Sequence, residues 1–243
     1  MFASNDGAKG DVEEGTRSLL YPGIGNEENE LRWSFIRKVY YILASQIILT
    51  TIISAIAVFY TPINNLLHGI NTILLIILIF LPLLLLLPLY FYREKHPLNF
   101  VFLGLFTITL SIGIAVSCAN TDGKSVLEAL ILTSAVVLAL TGYTFWASRR
   151  GHDFRFLGPT LFASLFVLVL TGFMQWFFPL GSIATAIYCT ISAIAFCAYI
   201  VYDTSNLIKR FTYDQYIWAS VNLYLDILNL FLDILRLLRP RNN

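Results

Sequence analysis

Long uncharged runs of apolar residues, separated by short polar segments, dominate the chain from about residue 39 onward. The hydrocarbon core of a bilayer is about 30 Å thick and needs about 20 apolar residues per crossing helix. The pattern therefore predicts an all-α integral membrane protein, a bundle of six or seven transmembrane helices. The seven predicted spans are residues 39–60, 70–92, 98–121, 128–148, 156–177, 181–206 and 213–238.

Composition narrows the class of protein further. Of the 243 residues, 57% are hydrophobic and 13% are charged, whereas soluble domains are typically about 25% charged. Residues 32–243 are therefore predicted to form one membrane domain and not a soluble enzyme, with no cofactor. The net charge of +1 gives no reason to expect a nucleic-acid partner. Residues 1–31 are polar and acidic, which is typical of a flexible tail.

Lysine and arginine residues alternate between the two ends of the predicted helices, which indicates orientation. Basic residues lie before span one, between spans two and three, between spans four and five, and after span six. In that order they are Arg32, Arg37 and Lys38; Arg93 and Lys95; Arg149, Arg150 and Arg155; and Lys209 and Arg210. Cytoplasmic loops carry the excess of Lys and Arg, so the N-terminal tail is predicted to be cytosolic. Arg236, Arg239 and Arg241 break this rule if the last helix crosses. Either that helix is short or re-entrant, or packing overrides the charge bias.

A polar stripe marks the last predicted helix. Asn222, Asp226, Asn229 and Asp233 are spaced by four, three and four residues, so they share one helical face. A charged group that faces lipid costs roughly 3 kcal/mol or more at the bilayer centre, so the stripe must face protein or a water-filled cavity. The last helix is therefore predicted to be central in the bundle. The capping-box spacing of Thr212 and Gln215 predicts that it begins near Thr212.

A further aspartate, Asp203, ends span six, one short turn before the last helix. Hairpin arithmetic at 1.5 Å per residue places it opposite residues near 220, with Asp226 about two turns deeper. Contact between them is possible if span six continues past Arg210, but the spacing alone does not show it. Two buried carboxylates resist ionising together, can share a proton, and can hold a hard cation such as Ca²⁺.

Simpler interpretations of the acidic residues stay open at this point. Asp203 could cap a helix end or pair with Lys209 or Arg210. Asp233 is three residues from Arg236, which favours a plain ion pair. Glu128 is predicted to open span four, where an acid suits the helix N-terminus.

Several motifs resemble one known family over nearly the whole chain. They are Glu30–Leu31–Arg32–Trp33–Ser34–Phe35, His96–Pro97–Leu98–Asn99, Leu140–Thr141–Gly142–Tyr143–Thr144–Phe145–Trp146, Asp153–Phe154–Arg155–Phe156–Leu157–Gly158–Pro159, Val201–Tyr202–Asp203–Thr204 and Leu223–Tyr224–Leu225–Asp226–Ile227–Leu228–Asn229–Leu230–Phe231. The sequence is similar to the Bax inhibitor-1 (transmembrane BAX inhibitor motif) superfamily, and more closely to its plant LIFEGUARD branch.

The resemblance implies seven helices with the last one central, and a pH-sensitive calcium leak through an internal membrane. The endoplasmic reticulum is the first expectation, with the Golgi or the vacuole as variants, and suppression of programmed cell death is the implied role. Two aspartates on the last two helices form the family's pH sensor, and they correspond to Asp203 and Asp226. A family arginine that latches the first aspartate corresponds best to Arg93. Asp233 departs from the family pattern as an extra carboxylate on the central stripe.

Three functions are compatible with these features. The first is a proton-gated cation leak lined by Asp203 and Asp226, whose partners are the bilayer, calcium ions and protons. The second is a non-conducting adaptor that binds other membrane calcium channels or cell-death regulators. The third is a proton-coupled exchanger, although no inverted repeat is evident in the sequence. Buried acids favour the first and third, because an adaptor has no need of them.

Overall fold

A computed structural model describes residues 25–92 and 95–239, and within them the chain is helical with no strand. The helices are α1 (Asn26–Phe59), α2 (Thr61–His68), α3 (Thr72–Tyr92), α4 (Leu98–Ala119), α5 (Gly123–Arg149), α6 (Leu157–Met174), α7 (Ser182–Lys209) and α8 (Tyr216–Leu238). Six of these described helices, α1 and α3 to α7, are long and apolar enough to cross a membrane. The all-α membrane architecture predicted from the hydrophobic pattern is confirmed.

The first helix begins earlier than the predicted span. It starts at Asn26 after an extended Gly25, so residues 26–31 belong to a helix and not to a flexible tail. Glu27 and Glu28 lie in its first turn, where acidic side chains stabilise the positive end of the helix dipole. Hydrophobicity alone placed the start at residue 39, because the first turns are polar. Residues 1–24 lie outside the described residues.

The fourth predicted span also begins too late. Helix α5 starts at Gly123, and the side chain of Asp122 caps it by accepting a hydrogen bond from the Ser125 backbone N–H at 3.4 Å. Glu128 therefore does not open the helix. It lies one turn in, where its carboxylate is 3.8 Å from the Lys124 ammonium group.

The last helix, α8, lies inside the bundle and packs against α1, α4, α5 and α7. It begins at Tyr216 and not near Thr212. Only one arm of the predicted capping box forms, because the Thr212 backbone N–H donates to Gln215 Oε1 at 3.4 Å while Gln215 itself stands at the cap position. At the other end, Ser125 Oγ donates to the Leu238 carbonyl at 3.4 Å. Helix α8 therefore runs the length of the bundle as far as the start of α5.

The outer surface of the bundle is apolar, as expected for a protein that lies in a bilayer. Many large apolar side chains are exposed on the outside, as on α3 and α6, which is expected where lipid is the solvent. Helix α6 is peripheral and packs on α7, where Tyr199 and Tyr188 donate hydrogen bonds to the Leu161 and Leu168 carbonyls at 2.6 and 3.0 Å. The fully buried side chains belong mainly to α1, α4, α7 and α8.

Candidate functional site

Two aspartates from the last two long helices meet inside the bundle. Asp203 lies two turns before the end of α7, and Asp226 lies at the middle of α8. Their side chains are buried, with 8% and 6% of each residue exposed. The two carboxyl groups lie within hydrogen-bonding contact of each other. Because ionised carboxylates have no donor, a hydrogen bond between them requires a proton on one of the two.

The turn between the helices explains how the pair forms. Helix α7 ends at Lys209 and does not continue past Arg210, so the contact does not arise in the way that the sequence suggested. Instead, α8 begins four residues later than the capping box predicted, so the connection is longer. The residue opposite Asp203 is then about residue 222, and Asp226 lies only about 6 Å deeper along the helix axis. Side chains bridge that distance.

Few polar groups surround the pair. Asn206 Nδ2 donates to Asp203 Oδ1 at 3.3 Å, from one turn along α7. Asp226 Oδ2 is buried and accepts no hydrogen bond from an N–H or hydroxyl group in the described part of the chain. The Tyr199 ring lies near both carboxylates, but its hydroxyl group donates to the Leu161 carbonyl. The site is therefore poor in donors, and a proton, an ion or water is needed to complete it.

The nearby basic residues are engaged elsewhere. Lys209 Nζ donates to the His152 carbonyl, and Arg210 NH2 lies 3.5 Å from Asp153 Oδ1. Pairing of Asp203 with Lys209 or Arg210 is therefore wrong. Among residues 25–92 and 95–239, no lysine or arginine forms an ion pair with either aspartate of the pair. Arg93, the predicted latch, lies outside the described residues.

The donor set does not make a resident metal centre. Within the described ranges, no group of three or more His, Cys, Asp or Glu side chains could hold a metal ion. Asp203 and Asp226 offer at most four carboxylate oxygens, whereas Ca²⁺ takes six to eight oxygen ligands. A transient, partly hydrated calcium ion at the pair stays a prediction.

The polar stripe on α8 divides into different environments. Asp226 and Asp233 are buried, whereas Asn222 and Asn229 are half-buried. Asn229 Nδ2 donates to the Leu225 carbonyl of its own helix at 2.8 Å, so that amide hydrogen is directed away from the aspartates. The stripe is a shared helical face and not a continuous hydrogen-bonded chain.

Asp233 lies two turns beyond Asp226, about 10 Å along α8. The predicted ion pair with Arg236 is wrong, since the two groups are not within 4.0 Å. The Ser192 hydroxyl group of α7 lies beside the Asp233 carboxylate instead, and Asp233 Oδ2 is buried without a partner in the described residues. The Arg236 guanidinium group is still close enough to act on the Asp233 carboxylate electrostatically. It reaches Cys189 of α7, so the two groups share a surrounding without closing to a salt bridge.

A neutral polar network on another face of α8 escaped the sequence interpretation. Tyr224 Oη lies 2.6 Å from Thr50 Oγ1, which lies 2.8 Å from Ser111 Oγ. Ser111 donates to the Thr107 carbonyl at 2.7 Å, and Gln46 Nε2 donates to Thr107 Oγ1 at 3.0 Å. The signal was present in the sequence, because Gln46 and Thr50, like Thr107 and Ser111, are polar residues four apart in apolar helices. The network joins α1 and α4 to α8.

Comparison with known proteins now identifies the family. The family described as "Inhibitor of apoptosis-promoting Bax1" matches residues 32–243, the range predicted to form the membrane domain. The chain belongs to this Bax1-inhibitor family. The resemblance that the sequence motifs carried is thereby confirmed.

Relatives of the Bax1-inhibitor family place the chain in its plant LIFEGUARD branch. It is 58% identical over 234 residues to the BI1-like protein of Arabidopsis thaliana, covering 96% of this chain and 91% of that protein. It is 52% identical to Protein LIFEGUARD 3 of the same plant, with 95% of both chains covered. The Golgi anti-apoptotic protein of vaccinia virus (strain Lister) is 38% identical, with 90% of both chains covered.

Proposed function

We propose that this protein is a pH-sensitive, calcium-permeable leak in an internal membrane, and that it suppresses programmed cell death. The observation that carries the leak is the contact between the buried carboxyl groups of Asp203 and Asp226, on two helices that meet inside the bundle. Support for the cell-death role comes from the relatives, one of which is named a Golgi anti-apoptotic protein.

The shared proton supplies the pH dependence. With one proton, the pair holds the two helices together through a hydrogen bond and carries a single negative charge. Without it, two adjacent negative charges repel each other in a low-dielectric interior and attract a cation. The pair is therefore both the pH sensor and the first binding position for a passing calcium ion.

The proposal includes an orientation. Helix α8 is the seventh crossing, since its 23 residues span about 34 Å and it reaches the start of α5. The N-terminus is cytosolic, because the basic loops between the helices lie at that end. Packing of α8 on four other helices then overrides the charge bias of Arg236 and Arg239. The endoplasmic reticulum is the first location to examine, followed by the Golgi and the vacuole.

Calcium flux from liposomes that hold only the purified protein tests the proposal. The flux is measured over about pH 5 to 8, where perturbed carboxyl groups in functional sites titrate. The wild type should leak calcium with a pH-dependent rate, and Asp203→Asn should flatten that dependence. If the wild type carries no calcium at any pH, the leak is wrong and the non-conducting adaptor becomes the better interpretation. Counter-movement of protons would favour the exchanger.

A further inference from the structure

A cavity of about 400 Å³ lies between α1, α5 and α8, with α4 behind it. This volume is within the usual range for sites of small organic ligands. Its wall is mainly apolar, and no charged residue is among the residues that line it. Exposed side chains at its rim, among them Phe59, Leu127 and Leu138, open it towards the lipid-facing surface between α1 and α5. A ligand would enter from the bilayer.

Two hydroxyl groups in this wall have no hydrogen-bond partner among residues 25–92 and 95–239. Ser54 Oγ and Thr133 Oγ1 are buried and unpartnered, and only 8% and 4% of these residues is exposed. The Cys118 thiol lies beside Ser54, but sulfur is a weak hydrogen-bonding group.

Neighbouring hydroxyl groups on the same helices behave differently. Thr50 and Thr51 bond to the carbonyls of Gln46 and Ile47 at 2.8 Å, four residues back. Ser134, next to Thr133, bonds to the Leu130 carbonyl at 2.7 Å. This bond to the preceding turn is the common way in which a membrane helix satisfies a hydroxyl group. Ser54 and Thr133 are left available in the cavity wall.

These observations restrict the chemistry of the occupant. A charged head group has no counter-charge in the wall, so the ligand is uncharged. Unpaired buried hydroxyl groups favour a ligand group that can both donate and accept a hydrogen bond. Water fits less well, because it needs two to four polar partners and the wall is mostly hydrocarbon.

We propose that this cavity binds an uncharged membrane lipid with a single hydroxyl group, of the sterol type. The ligand hydroxyl bonds to Ser54 or to Thr133, and its apolar body fills the space between α1 and α5. Ile227, Leu228 and Phe231 of α8 form the inner wall, so the occupant packs against the helix that carries Asp226. This site is independent of the calcium leak proposed above, and its test requires no ion flux.

Photolabelling of the full-length protein in liposomes that contain a photoactivatable sterol tests the site. The expected result is saturable labelling of peptides from α1, α5 and α8, which excess unlabelled sterol suppresses. The Ser54→Ala/Thr133→Val double variant should need about tenfold more probe for half-maximal labelling, because it removes both unpaired hydroxyl groups that could bond to the ligand. The matched control, Ser45→Ala/Thr190→Ala, removes two exposed hydroxyl groups outside the cavity that bond to the carbonyls of their own helices, and it should label as the wild type does.

Competition with the wild type gives a second measurement that does not depend on the folding of a variant. A sterol hydrocarbon without the hydroxyl group should compete about tenfold less well than the sterol itself. Equal competition would overturn the proposal and show that any hydrocarbon occupies the cavity. Absence of saturable labelling would overturn it as well, in favour of water or of a second copy of the chain on this face.

Discussion

The two polar faces of α8 differ in how fully their side chains are hydrogen-bonded. On one face, the hydroxyl groups of Tyr224, Thr50 and Ser111 form a chain of hydrogen bonds that ends on a backbone carbonyl. On the other, Asp226 meets Asp203 with one oxygen left unpartnered in the described residues. Both faces are buried at the same level of the same helix.

This difference separates a purely structural contact from a pH-sensitive one. A network of paired neutral hydroxyl groups carries no charge for a proton to change, so it holds α8 against α1 and α4 at any pH. An acidic pair that is short of donors changes its energy with each proton or cation that arrives. The first is expected to set stability, and the second to set the response to pH.

The largest expected effect follows from Asp226→Asn. The new amide can donate to the Asp203 carboxylate, so the contact no longer requires a shared proton. The variant should insert and fold, and we expect it to lose most of the pH-dependent calcium flux in proteoliposomes.

A second measurement on the same variant does not rely on flux. In the wild type the folded pair holds a proton that the unfolded chain releases, so thermal stability should fall as pH rises through its loss. In Asp226→Asn this slope should shrink. Wild-type flux and an unchanged pH slope in this variant would remove the pair from the mechanism.

The neutral face should show a smaller effect that does not depend on pH. Thr50→Val keeps the shape of the side chain but breaks its bonds to Tyr224 and Ser111, and we expect a loss of about 1 kcal/mol in the free energy of unfolding. Thr51→Val is the matched control, because Thr51 is exposed and bonds only to its own helix. Unfolding in detergent at two pH values measures both. If the loss of unfolding free energy in Thr50→Val depended on pH, the neutral face would also respond to pH and the comparison would fail.

Asp233→Asn tests whether every buried acid on α8 belongs to the switch. Asp233 lies about 10 Å from Asp226 along the helix, and its own neighbours are the Ser192 hydroxyl group and, at longer range, the Arg236 charge. We expect this variant to retain most of the flux and most of the pH response. Calcium flux at matched protein density, beside Asp226→Asn, provides the comparison. Equal losses in the two variants would mean that the pathway extends along the whole stripe.

The acidic face of α8 was predicted from the sequence, whereas the neutral face was not. The apolar runs predicted the membrane helices, and the spacing of Asp226 and Asp233 predicted a central helix, because charges avoid lipid. The sequence also singled out Asp203 and Asp226 before any geometry was known. Polar first turns hid the start of α1, because an apolar pattern reports burial in lipid and not helix length.

Contacts between helices were harder to predict. Short spacing suggested a salt bridge between Asp233 and Arg236, but spacing along one helix does not set the distance between two side-chain ends, which also bond to Ser192 and Cys189 of α7. Whether Asp203 reaches Asp226 depended on a few residues in the turn, and a shift of four residues in the start of α8 decided it. Helix ends are the least certain feature of a sequence pattern, so contacts next to a turn inherit that uncertainty.

The smallest expected effect concerns charges that meet in water. At the end of the bundle that carries the basic loops, Arg210 lies 3.5 Å from Asp153, and their side chains are 29% and 46% exposed. This ion pair ties the α7–α8 connection to the loop between α5 and α6, but solvent screens it, and exposed pairs contribute about 0.2–1 kcal/mol. Asp153→Asn retains the Oδ1 acceptor that the Arg155 backbone N–H uses at 3.1 Å, so only the charge is lost. We expect a fall of about 0.5 kcal/mol or less in the free energy of unfolding, and no fall in about 1 M salt, where the Debye length is only about 3 Å. Unfolding curves at low and high salt measure this difference. A larger loss that persists in high salt would mean that the connection holds Asp203 in place against Asp226, and that the pair depends on the turn as much as on the two helices.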